Sequence, residues 1–185
     1  MFQRKIYSKL LEWKQESEGK TALLIEGARR VGKSTVVEEF AKNEYKSYIL
    51  IDFSRASKEV KGLFEDISDL DYIFLRLQLI FNVDLHERES VIIFDEVQLC
   101  PMARQAIKHL VKDHRYDYIE TGSLISIKKN IKDILIPSEE RKISMHPMDY
   151  EEFLWALGNQ ATAKLLAGVL EKKMPLGDAV HRKLI

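Results

Sequence analysis

The stretch "TALLIEGARRVGKST", residues 21–35, decides how the rest of the chain is read. An apolar run turns at Gly27, passes through Ala28, Arg29, Arg30 and Val31, and reaches Gly32, Lys33, Ser34 and Thr35. Gly27, Gly32, Lys33 and Ser34 match G-x-x-x-x-G-K-[ST] at every fixed position. In such a loop the glycines let the backbone bend until its N–H groups converge on phosphate oxygens. The helix starting near Lys33 adds unpaired N–H groups and the positive end of its dipole. Residues 27–35 are therefore the expected cradle for ATP, with Lys33 facing the β- and γ-phosphates and the Ser34 hydroxyl a ligand for Mg²⁺. Arg29 and Arg30 occupy variable positions, where an arginine either touches phosphate or is solvated or paired with a partner carboxylate.

Working outward, apolar periodicity places the other elements. Phe2, Ile6, Leu10 and Trp13 recur at helical spacing. Val36, Val37, Phe40 and Ala41 share a helix face after the loop, and "SYILIDFS" reads as a strand. "DLDYIFLRLQLIFN" is apolar almost all round, which predicts a buried helix. "HERES" reads as a charged loop. "VIIFDE" is apolar on both faces and is expected at the centre of a parallel sheet. Pro101 opens a helix whose stripe is Ala103, Ala106, Ile107, Leu110 and Val111. "YDYIETGS" and "RKISMHP" are further strands, and "DYEEFLWAL" begins a helix at Asp149. The lysine-rich segment 128–133 reads as an exposed loop. Strands alternating with helices predict an α/β, three-layer fold with a parallel sheet of about five strands.

Residues 91–98, "VIIFDEVQ", end a strand on an acid pair. At the carboxyl end of a central strand that pair lies beside the phosphate loop. Asp95 is the expected Mg²⁺ ligand, mostly through water, and Glu96 the group that polarises the attacking water. Alone, a strand ending in Asp-Glu is a solvated edge; with the loop it predicts hydrolysis. Thr121 and Ser123 are candidates to bind that water or the γ-phosphate. An ordinary strand-to-turn junction, with Gly122 at positive φ, explains the same pattern equally well.

The chain has 185 residues, 45% of them apolar, and 29 basic residues against 29 acidic. A net charge of zero offers no global case for nucleic acid or a membrane surface. Cys100, the single cysteine, excludes an internal disulfide and fits the reducing cytoplasm, the expected location. It reads as a small apolar residue at a helix start. The five histidines show no metal-ligand spacing, and no apolar run approaches a membrane span.

"GARRVGKST", "VIIFDEVQLCP", "YIETGSLIS" and "RKISMHPMDYEEFLWALG" occur in this order in a large prokaryotic family of AAA-type ATPases, which the chain resembles over residues 1 to about 158. The resemblance implies the additional-strand P-loop fold, with the strand ending in Thr121-Gly122-Ser123 inserted between the loop strand and the acid strand. It maps Lys33 and Ser34 to phosphate and Mg²⁺, Asp95 and Glu96 to the acid pair, and Thr121 or Ser123 to the polar sensor. Gln98 matches the family's glutamine after the acid pair, a position whose role the sequence does not explain.

Members of that family typically continue into a C-terminal domain of unknown function. Residues 1–158 are accordingly expected to form the ATP-binding domain, and 159–185 a helical linker or the start of a truncated C-terminal domain. A site of this type is usually completed by an arginine from a neighbouring subunit or a following domain, so a homo-oligomer, the protein's own C-terminal domain or another protein is the expected partner. Arg104, Arg115 and Arg141 are the arginine candidates within the chain, each with a surface ion pair as the alternative. Two functions remain: an Mg²⁺-dependent ATPase that does mechanical work, and a nucleotide-gated switch with little turnover.

Overall fold

The structure, a computed structural model, describes residues 3–123 and 140–173. Five of the apolar runs become strands: β1 (Ala22–Gly27), β2 (Ser47–Asp52), β3 (Ser90–Asp95), β4 (Asp117–Ser123) and β5 (Glu140–Met145). All pairings are parallel, in the order β2-β3-β4-β1-β5. β4 therefore lies between the loop strand and the acid strand, as the resemblance implied. β3 is buried along its whole length, which its two-sided apolar sequence demanded.

Helices cover both faces of the sheet. On one side α1 (Ile6–Ser17) and α2 (Lys33–Glu44) bury Leu10, Trp13, Val37 and Phe40 against Leu23, Ile25, Ile93 and Ile119. On the other, α3 (Lys58–Gly62), α4 (Leu70–Phe81) and α5 (Pro101–Asp113) pack on Leu24, Ile49, Ile92 and Phe94. Phe53, Phe64 and Phe94 meet edge to face at 5.2–6.0 Å, so the residue just before Asp95 is locked in place.

Two readings need correction here. α4 is not a buried helix: Ile73, Phe74 and Leu77 face the sheet, while Tyr72, Leu75, Leu79 and Ile80 are exposed. Only one stripe of a helix can reach the sheet, and composition does not say what covers the rest. Nor does Gly122 adopt positive φ; β4 continues through it, in register with Glu26 of β1.

The chain divides into two compact units, Ile6–Pro147, and Met1–Lys5 with Met148–Ile185. The second unit holds α6 (Tyr150–Ala156) and α7 (Gln160–Glu171). Asp149 caps α6 and forms a capping box with Glu152. Buried Arg4 pairs with Glu152 at 3.1 Å, and Lys5 Nζ reaches Asp149 and Glu151 at 2.7 and 2.6 Å. These contacts fasten residues 4–5 to the head of the helix. Phe2, the loop at 128–133 and residues 174–185 of the expected linker lie outside the described residues. Among those described, no helix is long and apolar enough to cross a membrane.

Candidate active site

Parallel pairing brings the carboxyl ends of the strands to one edge, where open α/β sheets bind ligands. Gly27 ends β1 in register with Ser123 of β4 on one side and Met145 of β5 on the other. A Cβ on Gly27 would lie 2.3 Å from the Met145 carbonyl oxygen, so only glycine lets the loop leave the sheet there. Gly32 has φ 92° and leads directly into α2. The N-cap residue Gly32 gives this helix no side-chain cap, which suits N–H groups that are to meet an anion.

Lys33 is buried at the head of α2, and its Nζ donates to the carbonyls of Gly27 and Ala28 at 3.3 and 2.9 Å. Burial is the main force pulling its pKa below the ordinary lysine value. Glu96 and Asp95 oppose the shift and Arg29 adds to it. Ala28, Arg29, Arg30 and Thr35 are exposed, Val31 and Ser34 half-buried. Arg30 is held in the left-handed region at φ 64°.

The acid pair is tied to this loop. Ser34 Oγ donates to Asp95 Oδ1 at 2.7 Å. Thr121 Oγ1 donates to the same oxygen and accepts the Glu96 N–H at 3.2 Å. Thr121 is wholly buried and thus links both acids to β4. Glu96 is left-handed, φ 53° and ψ 47°, and starts the short 3-10 turn Val97–Leu99. Gln98, buried in that turn, donates its side-chain amide to Glu96 Oε2. Loop, acid pair, Thr121 and Ser123 thus converge, as do two features that sequence reasoning missed: the Thr121 link and the Gln98 contact. The link rests on cross-strand register, which no linear pattern carries. The Gln98 contact had a signal, an amide two residues beyond the acid, but not the reversed backbone that turns the two side chains together.

Residues 19–154 match the family described as AAA domain. The chain belongs to this family of P-loop ATPases. No curated protein matches it. Among solved structures, the Aeropyrum pernix ORC1 protein in complex with DNA superposes with a TM-score of 0.53 and 11% identity, over 87% of this chain and 50% of that one. The Thermotoga maritima RuvB Holliday junction branch migration motor gives 0.49 and 12%, over 90% and 52%. C. elegans PCH-2 gives 0.44 and 12%, over 89% and 46%. At such identities the likeness is one of fold, and the ORC1 superposition carries it. The chain spans about half the length of these structures.

The three arginine candidates of this AAA domain are engaged elsewhere. Arg104 is not a surface group: it is buried on α5 and pairs with the buried Glu140 at 3.2 Å. Arg115 pairs with Asp113 at 2.8 Å and Asp71 at 2.5 Å, and Arg141 pairs with Glu16. The helix stripe of α5 points Arg104 inward together with Ala103 and Ile107, which spacing alone did not reveal.

Proposed function

We propose that this AAA domain binds ATP with Mg²⁺ and hydrolyses it to ADP and phosphate. The observation that carries the reading is the hydrogen bond from Ser34 to Asp95, which brings the phosphate loop and the acid strand to one point. Two hard oxygen donors at one spot suit Mg²⁺, which takes few protein ligands and fills its shell with phosphate oxygens and water. Ser34 would hold the ion directly and Asp95 mostly through water. Held there, Mg²⁺ would supply positive charge to offset that of the phosphates.

The chain's own residues do the rest. Lys33 exchanges the carbonyls of Gly27 and Ala28 for phosphate oxygens. The N–H groups of residues 27–35 cradle the phosphates. Glu96 accepts a proton from water as the water oxygen bonds to the γ-phosphorus. The bond from that phosphorus to the bridging oxygen breaks, and ADP leaves with the electron pair. Ser123, aligned with Gly27, is the candidate for the γ-phosphate. Thr121 acts through the acid pair it anchors.

Because Arg104, Arg115 and Arg141 are paired with carboxylates, the transition-state arginine is expected from a neighbouring copy or another polypeptide segment. This supports the second reading, a nucleotide-gated switch with slow turnover until a partner engages. A chain of zero net charge gives no reason to transfer the DNA of the ORC1 complex to this protein. The test is calorimetric: Lys33→Ala should abolish measurable ATP-Mg²⁺ binding, because it removes the fixed cation facing the β- and γ-phosphates. Affinity within about threefold of the parent, under 1 kcal/mol, would overturn the loop assignment.

A further inference from the structure

Gln98 has no place in the scheme above, yet it makes a directed contact with the group that scheme depends on. The geometry points to Gln98 as the residue that positions the Glu96 carboxylate for attack by water; this rests on the reading of Glu96 as the base. The backbone of Glu96 is already fixed. Its N–H is held by Thr121 at 3.2 Å, and its carbonyl accepts from Leu99 N–H at 2.9 Å. Its side chain is not fixed by packing, because Glu96 is half-exposed and retains several free torsions. Gln98 is the opposite case. It is 5% exposed, with Val97 wholly buried beside it, so its amide is the stationary partner and the carboxylate the guided one.

An ionised carboxylate only accepts hydrogen bonds, which assigns the amide NH₂ end to Glu96. The contact engages Oε2 and leaves Oε1 to take the water proton. The left-handed turn at Glu96 makes this possible, since it folds residues 96 and 98 onto the same side of a two-residue step. Strain of that kind costs about 1–3 kcal/mol and persists where the surroundings over-determine it. Thr121 and Gln98 supply that determination, one on the backbone and one on the carboxylate.

A positioning residue changes rate without changing affinity. In single-turnover assays on the full chain with ATP-Mg²⁺, Gln98→Met keeps the side chain's length and removes the donor. It should lower kcat by about 10–100-fold, the scale of a misplaced catalytic group, with KM and ATP affinity held within about twofold. Gln98→Glu, nearly isosteric and without the N–H, should show the same split if the methionine variant folds poorly. In a double-mutant cycle, Glu96→Gln with Gln98→Met should be no slower than Glu96→Gln alone, because there is no longer a base to position. A purely structural role would instead move thermal stability and ATP affinity together and give additive losses. Gln98 variants within about threefold of the parent kcat, beside an inactive Glu96→Gln, would overturn the positioning role alone. Parent-like turnover by Glu96→Gln would overturn the base assignment and the positioning role with it.

Discussion

Two pairs of carboxyl groups sit on this sheet within one strand of each other, in opposite surroundings. Asp95 and Glu96 end β3 at the open edge, where neutral donors hold them: Ser34 and Thr121 on Asp95, Gln98 on Glu96. Glu120 of β4 and Glu140 of β5 are sealed under α5 with Arg104. Glu120 lies in register with Phe94 and Leu24, and neither of its oxygens has a hydrogen-bond partner among the described residues. Burial, reinforced by the like charge of Glu140 and only partly offset by Arg104, pushes the Glu120 carboxyl well above the ordinary glutamate range. A strongly perturbed acid is commonly taken as a sign of function. Here the perturbed acid is closed off, while Glu96 beside the phosphate loop is half-exposed and Asp95, itself buried, is held by Ser34 of that loop. Access, and donors that leave an oxygen to react, separate a chemical pair from a structural one.

The largest effect on folding should come from the sealed pair. Arg104→Met removes the buried cation and leaves Glu140 with only the longer Lys142 contact at 3.6 Å, a loss of about 3 kcal/mol by urea unfolding, the low end for breaking a buried pair. A loss under about 1 kcal/mol would mean that the pair behaves as if solvated, and the contrast with the acid pair would fail.

A smaller effect, of opposite sign, is expected at Glu120. The folded chain keeps this proton above pH 4.5, where the unfolded chain releases it. Folding then binds a proton, so the contribution is complete below the unfolded value and is lost as pH rises toward the raised folded value. Glu120→Gln has no proton to lose. It should flatten the fall in stability between acid and neutral pH and stabilise the protein at pH 7 by about 1 kcal/mol. Thermal unfolding across that pH range checks it, and an unchanged slope would show that Glu120 titrates as an exposed glutamate does.

These contrasts also mark where the sequence was readable. β3 announced itself as an interior strand because Val91–Phe94 are apolar without a break and a parallel interior strand is covered on both faces. The α5 stripe announced its buried face, and the loop and acid-pair motifs marked the candidate site whose parts the fold brings together. Interactions that depend on what lies across the sheet were not readable. Arg104 looked like a surface cation because its partner is 36 positions away. α4 looked fully buried because apolar composition carries no record of what is missing from its outer face. Gly122 looked like a turn, although the strand does not end until Ser123. The pattern that makes Thr121 a sensor candidate carries no sign that its hydroxyl ties Asp95 to the Glu96 backbone. Local pattern set the elements and the loop, and tertiary register set the roles within the site.

Glu96→Gln tests the central claim most directly, with ATP binding and single-turnover hydrolysis measured on the same preparation. The substitution keeps shape and removes the base. ATP-Mg²⁺ affinity should stay within about threefold of the parent while hydrolysis falls by about 10²–10⁴-fold, the range expected for loss of a general base. Bound ATP should persist and be recoverable intact. Hydrolysis at the parent rate with affinity unchanged would contradict the account, because water would then be activated by a group other than the acid beside Asp95.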